Sequence, residues 1–284
     1  PLVLGLEFAG EVVEVGSGGS ALKAGDRVVV EPLLSCGECY VCREGAYHVC
    51  SSLGLLGVDV DGGFAEYVKA PVHRVYRIPE SLSMKKAALV EPTAVAVHDL
   101  QRSRARLGDR VVVLGGGPIG LLVAQVARLV TSMPVELVEV SDWRLDLARR
   151  LGFDPIDAKE VDVVREVLDR TDGRGADVLF DVAGVPSTAE RLAALTRVRG
   201  QVVMVAMPKE HHPVDLAGFA LKEIDLTGCR VYDYRDYAAA ISLIADGKID
   251  VESMVSHVFP LEQGKEAIDL AKKAGDSMKV LLQP

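Results

Sequence analysis

From Val111 onward, short apolar runs alternate with longer segments whose apolar positions recur at helical spacing. The runs rich in β-branched residues fall at 111–114, 135–140, 153–156, 177–182, 201–206 and 224–229. Between them lie helical patterns near 118–130, 142–151, 161–170 and 187–195. Ser187 followed by Glu190 reads as a capping box opening the last of these. Strands alternating with helices predict a parallel, doubly wound α/β sheet.

Residues 1–93 follow a different rhythm. Short Val-rich runs, Glu11–Val15, Arg27–Glu31, Phe64–Ala70 and Arg74–Ile78, are separated by turns such as Gly16-Ser17-Gly18-Gly19 and Gly25-Asp26. That pattern predicts antiparallel β structure, with a cysteine-rich lobe (33–53) inserted after Glu31. A helix near 262–273 and a strand at 278–282 return to this domain. The expected organisation is one domain of 1–95 with 258–284, and a second of 96–257.

Composition narrows the function classes. The chain has 284 residues, of which 49% are apolar and 26% charged, enough for two packed cores. Lys plus Arg is 32 and Asp plus Glu is 41, so the net charge is 32 − 41 = −9, which argues against nucleic-acid or anionic-membrane partners. The most apolar stretch, Val111–Ala127, carries Gln125 and four glycines and falls short of the ~20 residues of a membrane span. No charged n-region followed by an apolar run opens the chain, so a cytoplasmic location is expected. The sequence begins at Pro1 without an initiator Met and reads as a fragment of a longer protein.

Two motifs carry chemistry. The first is the apolar run Val111–Leu114 feeding Gly115-Gly116-Gly117-Pro118-Ile119-Gly120 and then an apolar helical pattern. A lone G-x-G-x-x-G is weak evidence, but the strand–turn–helix context predicts a Rossmann dinucleotide site. Gly115 permits the tight turn, Gly117 lets a pyrophosphate approach the backbone, and Gly120 lets helix and strand pack closely. Pro118 and Ile119 open the helix whose N–H groups receive the phosphates. Glu139 ends the next strand, nineteen residues past Gly120, where a carboxylate binds ribose hydroxyls and repels a 2′-phosphate. NAD is therefore favoured; Arg144 nearby leaves NADP open. Val182, Ala183 and Gly184, and less strongly Ala206 and Met207, end later strands where small residues admit the nicotinamide half.

The second motif is Cys36, Cys39, Cys42 and Cys50, spaced C-x2-C-x2-C-x7-C. Three thiolates at this spacing converge on one ion and a fourth closes a tetrahedral shell, leaving no open position, as in structural zinc. A disulfide cluster and an iron–sulfur site are the competing readings. Such a zinc supplies on the order of 10 kcal/mol of folding energy. Cys229 stands apart and reads as a small core residue. Among the histidines, His98 reads as a core residue, His48 as a spare ligand, and His211-His212 as a surface loop.

Together, the stretches GLEFAGEVVEVG, KAGDRVVVEP, GGFAEYV, LVEPTAVAVH, VVVLGGGPIGLL and LKEIDLTG, with the four cysteines, resemble the zinc-containing medium-chain dehydrogenases, and within them the polyol branch of sorbitol and butanediol dehydrogenases. The resemblance implies a GroES-like catalytic domain beside the Rossmann domain, a structural zinc, and NAD-linked oxidation of a secondary alcohol or diol. It also implies a homo-oligomer, dimer or tetramer, paired through the strand Ile224–Cys229, which could equally be fully buried. A catalytic zinc is implied as well, with a Cys, a His in a Gly-His-Glu motif and an acid as ligands. Here the motif reads Gly5-Leu6-Glu7. Glu7 remains, and Glu91 of Glu91-Pro92-Thr93 is similar to the later acidic ligand. By the same resemblance Thr93 touches the nicotinamide ring; a helix N-cap is its alternative reading. Two carboxylates without Cys or His suit zinc poorly. Loss of that Lewis acid raises the barrier by several kcal/mol, on the order of a thousandfold in rate. The alternative expectation is thus an NAD-binding protein whose catalytic metal site has degraded.

Overall fold

A computed structural model of the chain describes residues 1–17, 21–273 and 276–284. Its contacts divide it into two units, Pro1–Val95 with Val231–Pro284, and Ala96–Arg230. The sequence expectation placed the return to the first unit at 258; the contacts place it at Val231, because the buried Tyr232 and Tyr237 bond within that unit. No helix among the described residues is long and apolar enough to cross a membrane.

In the first unit, β1 (Ala9–Glu11), β2 (Arg27–Val30) and β5 (Val75–Arg77) form an antiparallel sheet in the order β1-β2-β5, and β3 (Leu33–Leu34) pairs with β4 (Gly54–Leu55) at the base of the cysteine lobe. The run Phe64–Ala70 forms no strand. Gly62, Gly63 and Phe64 donate to the carbonyls of Val3, Gly5 and Leu4, and the rest finds no ladder, without which a strand has no means of pairing its backbone. Of the expected turn at 16–19, Gly18 and Gly19 lie outside the described residues.

The core of this unit holds an ion pair. Glu31 is fully buried and accepts from Arg74 Nη1 at 2.6 Å and from the Tyr76 hydroxyl at 2.7 Å. Arg74 also reaches Ser35 Oγ at 3.0 Å and lies 4.2 Å over the Tyr47 ring, so one guanidinium joins the sheet to the lobe. The returning helix Tyr234–Ala245 is capped by Asp233 and pinned by the Tyr237 hydroxyl, which donates to the Val30 carbonyl at 2.7 Å.

In the second unit, β6 (Val111–Leu114), β7 (Val135–Glu139), β8 (Ile156–Asp157), β9 (Ala176–Asp181), β10 (Thr196–Met204) and β11 (Asp225–Gly228) form one parallel sheet in the order β11-β10-β9-β6-β7-β8. That order is two mononucleotide-binding halves flanking the first strand. β6 is apolar at every position and buried throughout, as a central parallel strand covered on both faces must be. Expected boundaries shift by a few residues. The helix predicted at 187–195 is broken into Pro186–Ala189 and Leu192–Leu195. Its start is not capped by Ser187 and Glu190: Pro186 occupies the first turn, and Thr188 Oγ1 accepts from the Val185 N–H at 3.3 Å. β11 lies at the sheet edge with Leu226 54% exposed, so it is not fully buried. In the first unit, β12 (Val255–Pro260) and β13 (Lys279–Gln283) form a parallel pair, with the helix Gly264–Lys273 between them.

Arg74→Ala strips Glu31 of its buried counter-charge and should lower the unfolding free energy by about 3 kcal/mol, read as a shift in the urea midpoint.

Candidate active site

The dinucleotide half of the site grows from the turn after β6. Gly115 has φ of 102°, a conformation a side chain resists, and its N–H donates to the Val138 carbonyl at 2.8 Å. A Cβ on Gly120 would overlap the Gly115 carbonyl, so turn and helix approach more closely than any other residue allows. The helix Pro118–Val130 starts with Pro at its first position, which leaves the N–H groups of Ile119 and Gly120 free at the positive end of the dipole.

Beside this turn is a cavity of about 460 Å³. Gly115, Gly117, Pro118, Ile119, Glu139 and Arg144 line it, and Ala183 closes the far wall. Gly120, Gly184 and Ala206 are not on the wall. Gly184 stands behind it with φ of 59° against Ala206, so these two shape the turn without reaching the cavity; Met207 is 81% exposed. Sequence reasoning missed Ser187, Thr188 and Arg191, which complete the wall from the broken helix.

Glu139 is buried and rigid. Its Oε2 accepts from the Gly116 N–H at 2.8 Å, and its Oε1 from the N–H groups of Val140 at 2.7 Å and Ser141 at 2.9 Å. Arg144 Nη1 lies 3.6 Å from Oε2. Arg144 Nε is buried with no hydrogen-bond partner among the described residues, a donor left for a ligand. The side-chain-free cradle, the free helix N–H groups and this donor fit a dinucleotide. The loop expected around His211-His212 is exposed only at His211; His212 Nε2 sits 3.1 Å from the Gly184 carbonyl behind the cavity wall. His98 is buried, as a core histidine.

The four cysteines converge as one site. Their sulfurs all lie within 4.8 Å of one another, with Cys36–Cys50 at 3.5 Å, Cys39–Cys50 at 3.9 Å and Cys36–Cys42 at 4.0 Å. A tetrahedral ion with sulfur ligands at ~2.3 Å requires edges of ~3.8 Å. All are free thiols, too far apart for disulfide bonds. Gly37 and Gly45, both at positive φ, turn the chain so that the thiols point inward. Backbone N–H groups of Ser51 and Cys42 push the Cys39 thiol down to about 5, whereas desolvation pushes Cys42 up to about 12. A dication held by these four sulfurs would override that difference by favouring the thiolate form of each.

The second proposed metal site does not assemble. The cysteine cluster is the only group of three or more metal-ligating side chains among the described residues. Leu6 offers no donor, Glu7 is ion-paired with Lys279 Nζ, and Glu91 accepts from the Tyr232 hydroxyl at 2.7 Å. These residues do not fit a catalytic zinc. Instead they hold two acids close enough to repel: desolvation, and then the Glu7 charge, push the Glu91 carboxyl up to about 8, although the Tyr232 hydrogen bond opposes the shift. Thr93 is fully buried inside the helix Val90–Arg102 and donates to the Leu89 carbonyl at 2.7 Å, so the N-cap reading falls. Lys279 and Tyr232 were invisible to sequence reasoning, since no local pattern links them to acids 272 and 141 residues away.

Comparison with known proteins agrees with this geometry. The family described as zinc-binding dehydrogenase matches residues 118–246, and the alcohol dehydrogenase GroES-like domain matches residues 1–80. The chain is 38% identical over 283 residues to 2-dehydro-3-deoxy-L-galactonate 5-dehydrogenase of Pseudoalteromonas atlantica, covering 100% of this chain and 83% of that protein. It is 33% identical to sorbitol dehydrogenase of Bacillus subtilis, covering 100% and 81%. Among solved structures, 2R,3R-butanediol dehydrogenase from Bacillus subtilis superposes with a TM-score of 0.92 at 34% identity, again covering 100% and 81%.

Two measurements check the site. Metal analysis should find one zinc per chain, and Cys50→Ser should lose it together with the fold of the lobe. The folded Glu91 holds its proton up to about pH 8, whereas its ordinary value is 4.5. The native state then binds more protons than the unfolded one in that window, so stability falls as pH rises from 4.5 to about 8. Glu91→Gln should flatten that fall in urea midpoints measured across the same range, and an unchanged slope rules the assignment out.

Proposed function

The chain belongs to the zinc-containing medium-chain dehydrogenases, NAD(P)-linked oxidoreductases of alcohols and polyols, and from that membership we propose that it oxidises a secondary alcohol or vicinal diol to the ketone with NAD. The observation that carries the choice of cofactor is the Glu139 carboxylate, clamped by three backbone N–H groups on the wall of the glycine-turn cavity. Bound NAD supplies the hydride acceptor. The free N–H groups of Ile119 and Gly120 hold its pyrophosphate, and Glu139 holds the adenosine ribose and repels a 2′-phosphate. Arg144, on the same wall with its buried Nε unpartnered, would offer the cofactor a further donor.

For the alcohol, the family resemblance supports Glu7, Glu91 and Thr93 of the first unit as candidates. An alcohol releases hydride as its hydroxyl proton departs, so a group must take that proton. Glu91 is our candidate for this role: desolvation and the Glu7 charge push its carboxyl up to about 8, and the Lys279 ammonium would offset the charge that results. The structural zinc at Cys36, Cys39, Cys42 and Cys50 holds the lobe and takes no part in the reaction. Similarity to sorbitol and butanediol dehydrogenases supports a vicinal diol as substrate. The cluster of reduced thiols supports a cytoplasmic location. The exposed edge strand β11 supports a homo-oligomer.

A second reading is favoured by one observation, Leu6 in place of a ligand: a chain that binds NAD and turns over slowly or not at all. NADH formation from 2,3-butanediol, with NADH binding measured in parallel by calorimetry, separates the two. Turnover with NAD well above that with NADP is expected. Binding without turnover on any secondary alcohol supports the second reading, and absence of binding removes both.

A further inference from the structure

We propose that Arg191 closes the glycine-turn cavity over the adenine base of the dinucleotide, with its planar guanidinium stacked on the ring. This deepens the proposed function and rests on its dinucleotide reading. Arg191 lies on the wall of the cavity beside Thr188 and Leu195. Its side chain is exposed and makes no hydrogen bond or ion pair among the described residues. Other exposed arginines of this unit are paired: Arg149 with Asp146, Arg165 with Asp169 and Arg199 with Glu223. A guanidinium that faces a cavity and engages no acid of its own chain is a donor and a flat surface held open for a ligand.

The backbone beneath that side chain is fixed. The Arg191 N–H donates to the Thr188 carbonyl at 3.0 Å, and the Arg191 carbonyl accepts from the Leu195 N–H at 3.0 Å, so the residue heads the helix Leu192–Leu195. Upstream, the Thr188 hydroxyl donates to the fully buried Asp181 at 3.1 Å. Downstream, Lys222 Nζ donates to the carbonyls of Ala193 at 2.7 Å and Thr196 at 3.0 Å, which secures the helix end. Arg191 and Leu195 are four residues apart and share the helix face turned to the cavity. The other groups on the wall leave the base as the target. The helix N–H groups take the pyrophosphate and Glu139 takes the ribose hydroxyls. Arg144 Nη1 lies 3.7 Å from where a Cβ on Gly117 would stand, so the phosphate end has a guanidinium already. Around the same cavity Val140 and Val185 are 56% and 42% exposed, and Ala158, Val163 and Leu195 add apolar lining. Apolar side chains left uncovered beside a cavity suit the face of an aromatic ring. Arginine is the side chain that stacks on such a face while its far side stays in water.

Arg191→Ala tests the assignment by direct binding, which needs no turnover. Calorimetry with NADH, ADP-ribose and AMP should give Kd values about fivefold higher in the variant for all three, since all three carry the base. Adenosine, which has no phosphate, should lose the same factor as AMP when each is used to displace NADH. Reduced nicotinamide mononucleotide, which has no adenine, should bind variant and wild type equally. The thermal midpoint should be unchanged, because the substituted side chain is exposed and bonds to nothing in the fold. Equal Kd values for AMP in the two proteins overturn the proposal. A loss seen with AMP and ADP-ribose but not with adenosine overturns it too, because the guanidinium then reads a phosphate. A wild-type chain that binds neither NADH nor AMP removes the dinucleotide reading, and the role of Arg191 goes with it; wild-type binding that the variant keeps in full removes the role of Arg191 alone.

Discussion

Buried negative charge must be matched by donors fixed in advance, and both units are organised around that requirement. In the second unit, Glu139 is met by three backbone N–H groups because the chain leaves β7 in a tight turn beside the glycines. The same glycines free the helix N–H groups that a pyrophosphate needs. In the first unit Glu31 has Arg74 and Tyr76 and the half-buried Glu7 has Lys279, while Glu91, which keeps its proton, accepts from Tyr232. In the lobe four converging sulfurs offer a site that a dication would fill, supplying the matching charge. Backbone donors, side-chain cations and a dication are thus three answers to one electrostatic problem.

The answers differ in what they allow. Backbone N–H groups cannot move away, so Glu139 is a rigid template, suited to discriminating between a ribose hydroxyl and a phosphate. The Arg74–Glu31 pair is sealed in the core and joins sheet to lobe. The Glu7, Glu91 and Lys279 group is the least satisfied of the three: two acids share one ammonium, and one of them keeps its proton to nearly pH 8. Such frustration is where proton transfer near neutral pH becomes possible.

Much of this was legible in order along the chain. The strand, glycine turn and helix at 111–130 follow from residues that are neighbours in sequence, and so do the four cysteines and the acid ending β7. Where the reading failed, a competing contact decided. Phe64–Ala70 has the composition of a strand but no ladder partner along most of its length. The segment after 186 has a helical pattern, yet it breaks near Arg191. Gly184 and Ala206 pack on each other beside the cavity rather than in its wall, which Ala183 and Val185 occupy.

The sequence by itself determined the doubly wound sheet, the dinucleotide turn with its carboxylate, and the four-sulfur centre, since each depends on geometry set within a few tens of residues. Only the tertiary structure decided what surrounds Glu91. Tyr232 and Lys279 reach the acids from distant parts of the chain, and neither spacing nor composition encodes an encounter made by packing. The physical reason is that backbone conformation and periodicity are local, whereas the pairing of a buried charge is settled by whichever side chain the fold delivers to it.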